Sequence, residues 1–225
     1  MLASLSGLQA CQGPPLWIAG QLGDPALLKP APPVTATELL DLRPQRAKAT
    51  VILDDRPAMD IVVSFAQQPD GLWRLETRDI RRSYLQPQAD GAIHIVREEQ
   101  FADAVRVSYD PPLPMLPATL AAGKPFTGSS QIRATRLADG SPVDSGRCDY
   151  RIELLGVQAI RSLADTPDAF IVRTTRHIDL ALADADVVLT SAFVPGRGVV
   201  AQRIVTATRM LGLIPVRHVE QMQRR

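Results

Sequence analysis

The feature that most constrains the fold of this chain is an alternation of apolar and polar residues with a period of two. Met59, Ile61, Val63 and Phe65 occupy every second position of one segment. The same period recurs in residues 73–78, 104–109 and 187–193. Successive side chains of a β-strand point to opposite faces, so this period is typical of strands with one buried face. The chain is therefore predicted to consist mainly of strands.

Turn signals separate the alternating segments. Asp70-Gly71, Asp90-Gly91 and Asp139-Gly140 each lie between two of them, and Asp-Gly favours the type I′ turn of a tight hairpin. Long strands are predicted near residues 126–138, 146–158, 168–179, 185–194 and 199–210. A twisted sheet of about ten strands must curl, close or split. The predicted fold class is all-β with few short helices, a curved antiparallel sheet that forms a half-barrel or an open barrel.

Two local patterns interrupt the strands. Thr35 and Glu38 have the spacing of a capping box, which predicts a short helix that Pro44 ends. Proline lacks the N–H that a central strand needs, so the prolines of residues 111–117 predict a crossing loop there. A short helical turn is predicted to follow it at residues 118–122.

These signals divide the chain into four parts. Residues 1–10 are interpreted as the remnant of a lipoprotein signal peptide, and residues 11–47 as a Pro-rich tether with a short helix. Residues 48–216 are predicted to form the antiparallel β domain, and residues 217–225 a basic C-terminal tail.

The tether begins at a motif that indicates membrane attachment. Leu8-Gln9-Ala10-Cys11 places a small residue before a cysteine and a leucine three places before it, the pattern that bacterial lipoprotein signal peptidase cleaves. Cys11 would then carry lipid and anchor the protein to the periplasmic side of the cell envelope. Gln12, where a retention signal has Asp, favours the outer membrane. The alternative, a Cys11 without lipid, leaves a disulfide with Cys148 open; Cys148 is otherwise expected to be a small buried side chain.

Charge and composition exclude other classes. The net charge of +1 gives no electrostatic footprint for nucleic acid. The histidines His94, His177 and His218 lie far apart, so no metal site is predicted, and no cofactor is expected. Asp54-Asp55 and Glu98-Glu99 are predicted to be solvated strand ends; the alternative, a glycosidase pair of carboxylates, depends on their separation in space and stays open. The arginines at positions 74, 78, 81 and 82 are predicted to form a solvated charged face, with a surface for anionic lipid or sugar as the alternative.

One glycine motif has two interpretations. Residues 196–201 match the Gly-x-Gly-x-x-Ala pattern of dinucleotide sites, which needs a helix directly after it. The β-branched residues that follow favour a strand instead. Pro195, Gly196 and Gly198 are therefore predicted to form a structural hairpin turn. No catalytic residues are predicted, and the protein is not expected to be an enzyme.

Three short motifs resemble those of the TapB-like family of bacterial envelope proteins of unknown function. They are residues 150–157, residues 166–172, where Asp168 replaces the usual glycine, and residues 192–200, where Arg197 replaces an aliphatic residue. The resemblance covers roughly residues 105–213. It implies a curved antiparallel sheet akin in shape to the lipoprotein carriers LolA and LolB, and it implies no enzymatic activity.

Two functions follow from these observations. The first is a non-enzymatic envelope lipoprotein that binds an acyl chain or another lipid in the concave face of its sheet. The alternative is a structural or assembly protein that docks another envelope protein and holds no small ligand. A continuous open apolar groove would favour the carrier, and a concave face filled by its own side chains would favour docking.

Overall fold

The alternating segments form one antiparallel sheet that closes on itself into a barrel of twelve strands. The structure is a computed structural model and describes residues 21–54, 56–160, 167–210 and 216–224. The all-β fold class is confirmed. The sheet goes beyond a half-barrel or an open barrel, because its first and last strands pair.

The strands are numbered in chain order. They are β1 (Val34–Thr35), β2 (Gln45–Leu53), β3 (Met59–Gln67), β4 (Trp73–Thr77), β5 (Arg81–Pro87), β6 (Ile93–Gln100), β7 (Val105–Leu116), β8 (Thr119–Leu120), β9 (Phe126–Arg136), β10 (Pro142–Ala159), β11 (Asp168–Leu180), β12 (Ala183–Val194), β13 (Gly198–Met210) and β14 (Val216–Arg224). Within residues 21–44, a 3₁₀ turn (Pro25–Leu27) and a short helix, α1 (Ala36–Leu39), precede β2. Around the barrel the strands follow chain order from β2 to β14, with β1 and β8 set apart as a separate pair.

The barrel closes through residues that the sequence assigned to a tail. Residues 217–225 were predicted to be a basic extension, but β14 pairs with β2 from Glu220↔Leu53 to Arg224↔Ala49. The start of β2 at Gln45 likewise lies within the predicted tether. Closure satisfies the backbone groups that two free sheet edges would expose, which explains why both ends of the β domain extend beyond the predicted bounds.

The proline-rich segment is a strand, so the predicted crossing loop is wrong. Strand β7 runs on through Leu116, although its pairing with β9 ends at Asp110↔Gln131. Beyond that point β7 pairs with β6 alone among the described strands, as at Ile95↔Leu113. A strand with one neighbour tolerates prolines on its free side. The helical turn predicted at residues 118–122 is wrong as well, because Thr119 and Leu120 pair with β1.

The Asp-Gly turns lie between strands as predicted, but they are not type I′. Gly71 and Gly91 have φ of 83° and 90°, whereas neither Asp70 nor Asp90 has a positive φ. In the first turn the Gln68 N–H donates to the Leu72 carbonyl at 2.7 Å, which closes a three-residue loop. Such a loop needs only its last residue in the left-handed region, and glycine supplies it.

The N-terminal segment first runs along the outside of the barrel. Leu22 and Leu28 pack there against an apolar cluster that includes Ile171. Lys29 then forms a two-way backbone bridge with Val157, with N···O distances of 2.8 and 2.9 Å. The crossing depends on Gly156, because a Cβ there would lie 2.5 Å from the Lys29 carbonyl oxygen and φ is +154°.

The chain then enters one end of the barrel and fills it. The capping box is confirmed, with the Thr35 N–H donating to Glu38 Oε2 at 2.7 Å and the Glu38 N–H donating to Thr35 Oγ1 at 3.3 Å. Helix α1 buries Leu39 completely among the side chains that line the barrel interior. We call residues Val34–Leu40 the plug and this end the plugged end. The described part of the predicted tether is therefore part of the folded domain.

Candidate functional site

A layer of polar side chains crosses the barrel interior beyond the plug. At its centre the Glu98 carboxylate accepts hydrogen bonds from the Tyr109 hydroxyl at 2.6 Å and the Ser83 hydroxyl at 3.1 Å. Arg176 Nη1 donates to the same carboxylate at 3.2 Å. Only about a tenth of the Arg176 and Glu98 side chains is exposed, at 11% and 8%. The pair is therefore a buried ion pair whose remaining carboxylate capacity is taken up by two hydroxyls.

The layer continues to the opposite wall of the barrel. Arg81 Nη2 donates to Gln202 Oε1 at 3.2 Å and lies 3.6 Å from Glu220 Oε1. Gln202 Nε2 donates in turn to Ser191 Oγ at 3.0 Å. The interior polar groups thus link strands β5–β7 with β11–β14. Such a network favours one register of the barrel, although Glu220 Oε1 and Arg176 Nε are buried and form no hydrogen bond among the described residues.

The protonation states of the layer oppose acid–base chemistry. Burial disfavours the charge on Glu98, but the positive charges of Arg176 and Arg81, with the Tyr109 and Ser83 hydrogen bonds, lower the pKa of this carboxyl below its ordinary value. Burial and the Glu98 charge raise the pKa of Tyr109 well above its ordinary value. At neutral pH the layer therefore holds an ionised glutamate and a protonated tyrosine, neither of which exchanges protons readily.

Cys148 lies beside this layer as a buried free thiol. Burial raises the pKa of Cys148 to about 11, so the sulfur is protonated and a poor nucleophile at neutral pH. The position agrees with the expected buried structural side chain. Its proposed disulfide partner, Cys11, lies outside the described residues, and so does the whole lipidation motif.

The prediction that Glu98-Glu99 is a solvated strand end is wrong. Neighbouring residues of a strand face opposite sides, so Glu98 points into the barrel and Glu99 to its outer face. Glu99 is also buried, with Oε1 accepting from Arg106 Nη2 at 3.0 Å. The Tyr84 hydroxyl donates to Glu99 Oε2 at 3.4 Å. Asp54 directly follows β2 with 38% of its side chain exposed, and Asp55 lies outside the described residues.

The four arginines of the predicted charged face also lie on different sides of the barrel wall. Arg74 and Arg82 lie outside and share the Glu76 carboxylate at 3.4 and 3.1 Å. Arg78 lies 3.5 Å from Asp79. Arg81 belongs to the interior layer instead, because it alternates with Arg82 along β5.

The glycine motif forms a hairpin. Pro195, Gly196 and Arg197 make the turn between β12 and β13, closed by an Arg197 N–H bond to the Val194 carbonyl at 2.9 Å. A strand follows, so no helix N-terminus is available for a pyrophosphate. Gly198 also makes room for the plug, because a Cβ at this position would lie 3.1 Å from Leu40 Cδ1.

The histidines do not come together. His177 Nδ1 lies 2.8 Å from Asp186 Oδ1, and His218 Nδ1 lies 3.2 Å from Asp54 Oδ2. His94 is partly buried in β6, where burial lowers its pKa. Among the described residues, no three His, Cys, Asp or Glu side chains are arranged to hold a metal ion.

Exposed apolar side chains concentrate at the barrel end opposite the plug, at the starts of β3, β10 and β14 and in the β11–β12 turn. The β4–β5 and β6–β7 turns lie at the same end. Met59, Val143, Leu182 and Val216 lie there, with 40%, 41%, 56% and 53% of their surface exposed. A depression of about 190 Å³ is lined by Val143 and the neighbouring Ala104. We call Met59, Val143, Leu182 and Val216 the distal rim.

Two carboxylates fix the backbone of this rim. Asp144 accepts the backbone N–H groups of Ala181 and Leu182, each at 3.2 Å, and so holds the β11–β12 turn. Asp54 accepts the Val219 N–H at 2.8 Å, and this bond, with the nearby His218, lowers the pKa of Asp54. The rim is thus a preorganised surface. Sequence reasoning missed it, although an apolar leucine in a turn at position 182 was a usable signal.

A second depression, of about 450 Å³, lies on the outer wall of β10–β12. Its edges carry Asp149, Arg151, His177 and Asp186. Arg151 is already paired with Glu153 at 2.7 Å, and His177 with Asp186 at 2.8 Å. Asp149 pairs with Arg147 at 2.8 Å, so all four side chains already have a charged partner.

Comparisons with known proteins returned no relative. No protein-family model, no curated protein and no solved structure matches this chain. The described residues contain no helix long and apolar enough to span a membrane.

Proposed function

We propose that this protein is a non-enzymatic lipoprotein of the bacterial envelope that docks another envelope protein through the distal rim. The observation that carries the proposal is the concentration of exposed apolar side chains on the rim, while the plug and the polar layer occupy the interior. The envelope location rests on the Cys11 motif.

The physics of association favours this surface. Burial of exposed apolar surface against a partner lowers the free energy by about 25 cal/mol per Å². The cost of ordering an interface is low here, because Asp54 and Asp144 already fix the adjacent backbone. Charged neighbours such as Arg217 and Asp184 would form a polar border around it.

The carrier function is supported by one observation on the plug. Val34 and Thr35 pair with only two residues of β8, and Leu39 and Leu40 are apolar. Withdrawal of this segment would uncover an apolar interior at the plugged end, which suits an acyl chain. Docking is preferred because the plug occupies that space in the structure and Leu39 is fully buried in it.

We expect Leu182→Asp to weaken partner binding about tenfold or more, the effect of losing one central apolar contact. A photo-crosslinking amino acid at position 59, on the same rim, would report the partner as a covalent adduct in intact cells. The adduct should fall in the Leu182→Asp background, while the melting temperature stays unchanged because Leu182 is exposed.

The matched control is Leu27→Asp. Leu27 is also exposed, at 41%, but belongs to the segment outside the barrel wall. Its substitution should leave the adduct intact. Equal adduct yields in all three backgrounds, or no adduct from position 59, would contradict docking at the rim.

A further inference from the structure

The barrel wall contains a seam where β7 and β9 part. The two strands pair from Val105↔Arg136 as far as Asp110↔Gln131. Beyond this point β7 continues beside β6, while Phe126–Ser130 of β9 pair only with β10. Two strand edges therefore face the seam without a ladder partner among the described strands.

The two edges are protected very differently. On β7, Pro111, Pro112 and Pro114 remove N–H donors, which is a common way of blocking an edge against other strands. On β9, residues 126–130 contain no proline and no charged side chain, and residues 126–128 are exposed. An exposed edge with all its N–H groups is a template for another strand.

An aromatic surface accompanies the free edge of β9. The Phe126 and Tyr150 rings stack with centroids 6.3 Å apart and planes 15° apart, and Phe126 is 42% exposed. Gly128 lies beneath the Tyr150 ring, which a Cβ at this position would displace. Cross-strand neighbours of an aromatic residue are favourably aromatic or β-branched, which defines the side chain that this surface would accept.

The charges that flank the edge are complementary to an acidic segment. Lys124 lies two residues before Phe126, and Arg133 lies three residues beyond Ser130, where β9 is already paired with β7. Both side chains are exposed, and neither forms an ion pair within the described ranges. Asp110 is the carboxylate at the point where the strands part. Two cations against one carboxylate leave the edge with a positive balance.

We propose that the free edge of β9 binds an extended strand of a partner protein, acidic at its ends and aromatic or β-branched where it passes Phe126 and Tyr150. Backbone hydrogen bonds to Phe126–Ser130 would supply the affinity, and the aromatic pair and the two cations would supply selectivity. This site is separate from the distal rim and goes beyond the docking function proposed for it.

The test uses the intact protein and a short synthetic peptide of alternating valine and threonine, with one central phenylalanine and a glutamate at each end. Residue-resolved hydrogen exchange reports pairing directly. Alternate amides within residues 126–130 should exchange at least about tenfold more slowly in saturating peptide, because new backbone hydrogen bonds protect them. Phe126→Ser should weaken binding about fivefold, and a lysine-ended peptide should bind more weakly still.

Val188→Ser is the matched control, since Val188 is an exposed apolar strand residue on β12. It should not change peptide affinity. A site with a Kd of about 1 mM is half occupied at about 1 mM peptide. If the amides of residues 126–130 exchange no more slowly at that concentration, the proposal is overturned. A dimer that Phe126→Ser abolishes would assign the edge to a second copy of this chain and would also overturn it.

Discussion

Replacing Arg176 with methionine is expected to lower the free energy of unfolding by about 3–5 kcal/mol, the usual loss when one member of a buried ion pair is removed. Methionine retains much of the side-chain volume, but it leaves the Glu98 carboxylate without its partner at 3.2 Å. Arg81 remains nearby but is engaged with Gln202 and Glu220. Urea unfolding at neutral pH measures the loss.

The pH dependence of the stability loss in Arg176→Met identifies its cause. In the native protein the pKa of Glu98 is lower than in the unfolded chain. Its contribution to stability is therefore present above the unfolded pKa and is lost as the pH falls through the folded pKa. In the Arg176→Met variant burial would raise the pKa of Glu98, so the deficit should shrink as the pH is lowered and Glu98 takes up a proton.

The double variant Glu98→Gln with Arg176→Met provides the control. It removes the uncompensated charge and should recover part of the stability at neutral pH. A single-variant loss below about 1 kcal/mol, within the range of ordinary substitutions, would show that the pair does not hold the barrel together. A deficit that does not change with pH would exclude Glu98 as its source.

Leu39→Ala is expected to destabilise the protein by about 2–5 kcal/mol, because it opens a cavity at a fully buried site. Leu39 lies at the end of α1 and packs against side chains from strands around the barrel. Thermal or urea unfolding measures the change.

Leu27→Ala is the matched control, the same substitution in the same N-terminal segment at an exposed position. It should change stability by no more than about 0.5 kcal/mol. If the two variants behave alike, residues 34–40 are a dispensable tether and not a plug.

The local elements of this fold follow from local sequence. The period of two placed the long strands of the second half within a few residues, and the Asp-Gly pairs located the turns. The capping box of Thr35 and Glu38 predicted α1 because both of its hydrogen bonds lie within one turn of chain.

The interior depends on distant residues, and sequence reasoning missed it for that reason. Arg176 and Glu98 are 78 positions apart and meet only because the barrel closes. The same closure makes a strand of the supposed C-terminal tail. The prolines of residues 111–117 predicted a loop, but β7 continues through them because it pairs with β6 on one side only. A single sequence does not show that one neighbour is sufficient.

The most direct test of the account is native mass spectrometry of the Cys11→Ser protein, which lacks the proposed covalent lipid and is purified without detergent, combined with titration of a fluorescent fatty acid. The plug and the polar layer fill the interior, so we expect the protein to act through its outer surfaces. The expected result is the mass of the polypeptide alone and no saturable binding of the probe. Co-purified lipid, or saturable binding in the micromolar range that tightens in Leu39→Ala, would contradict it and establish a carrier.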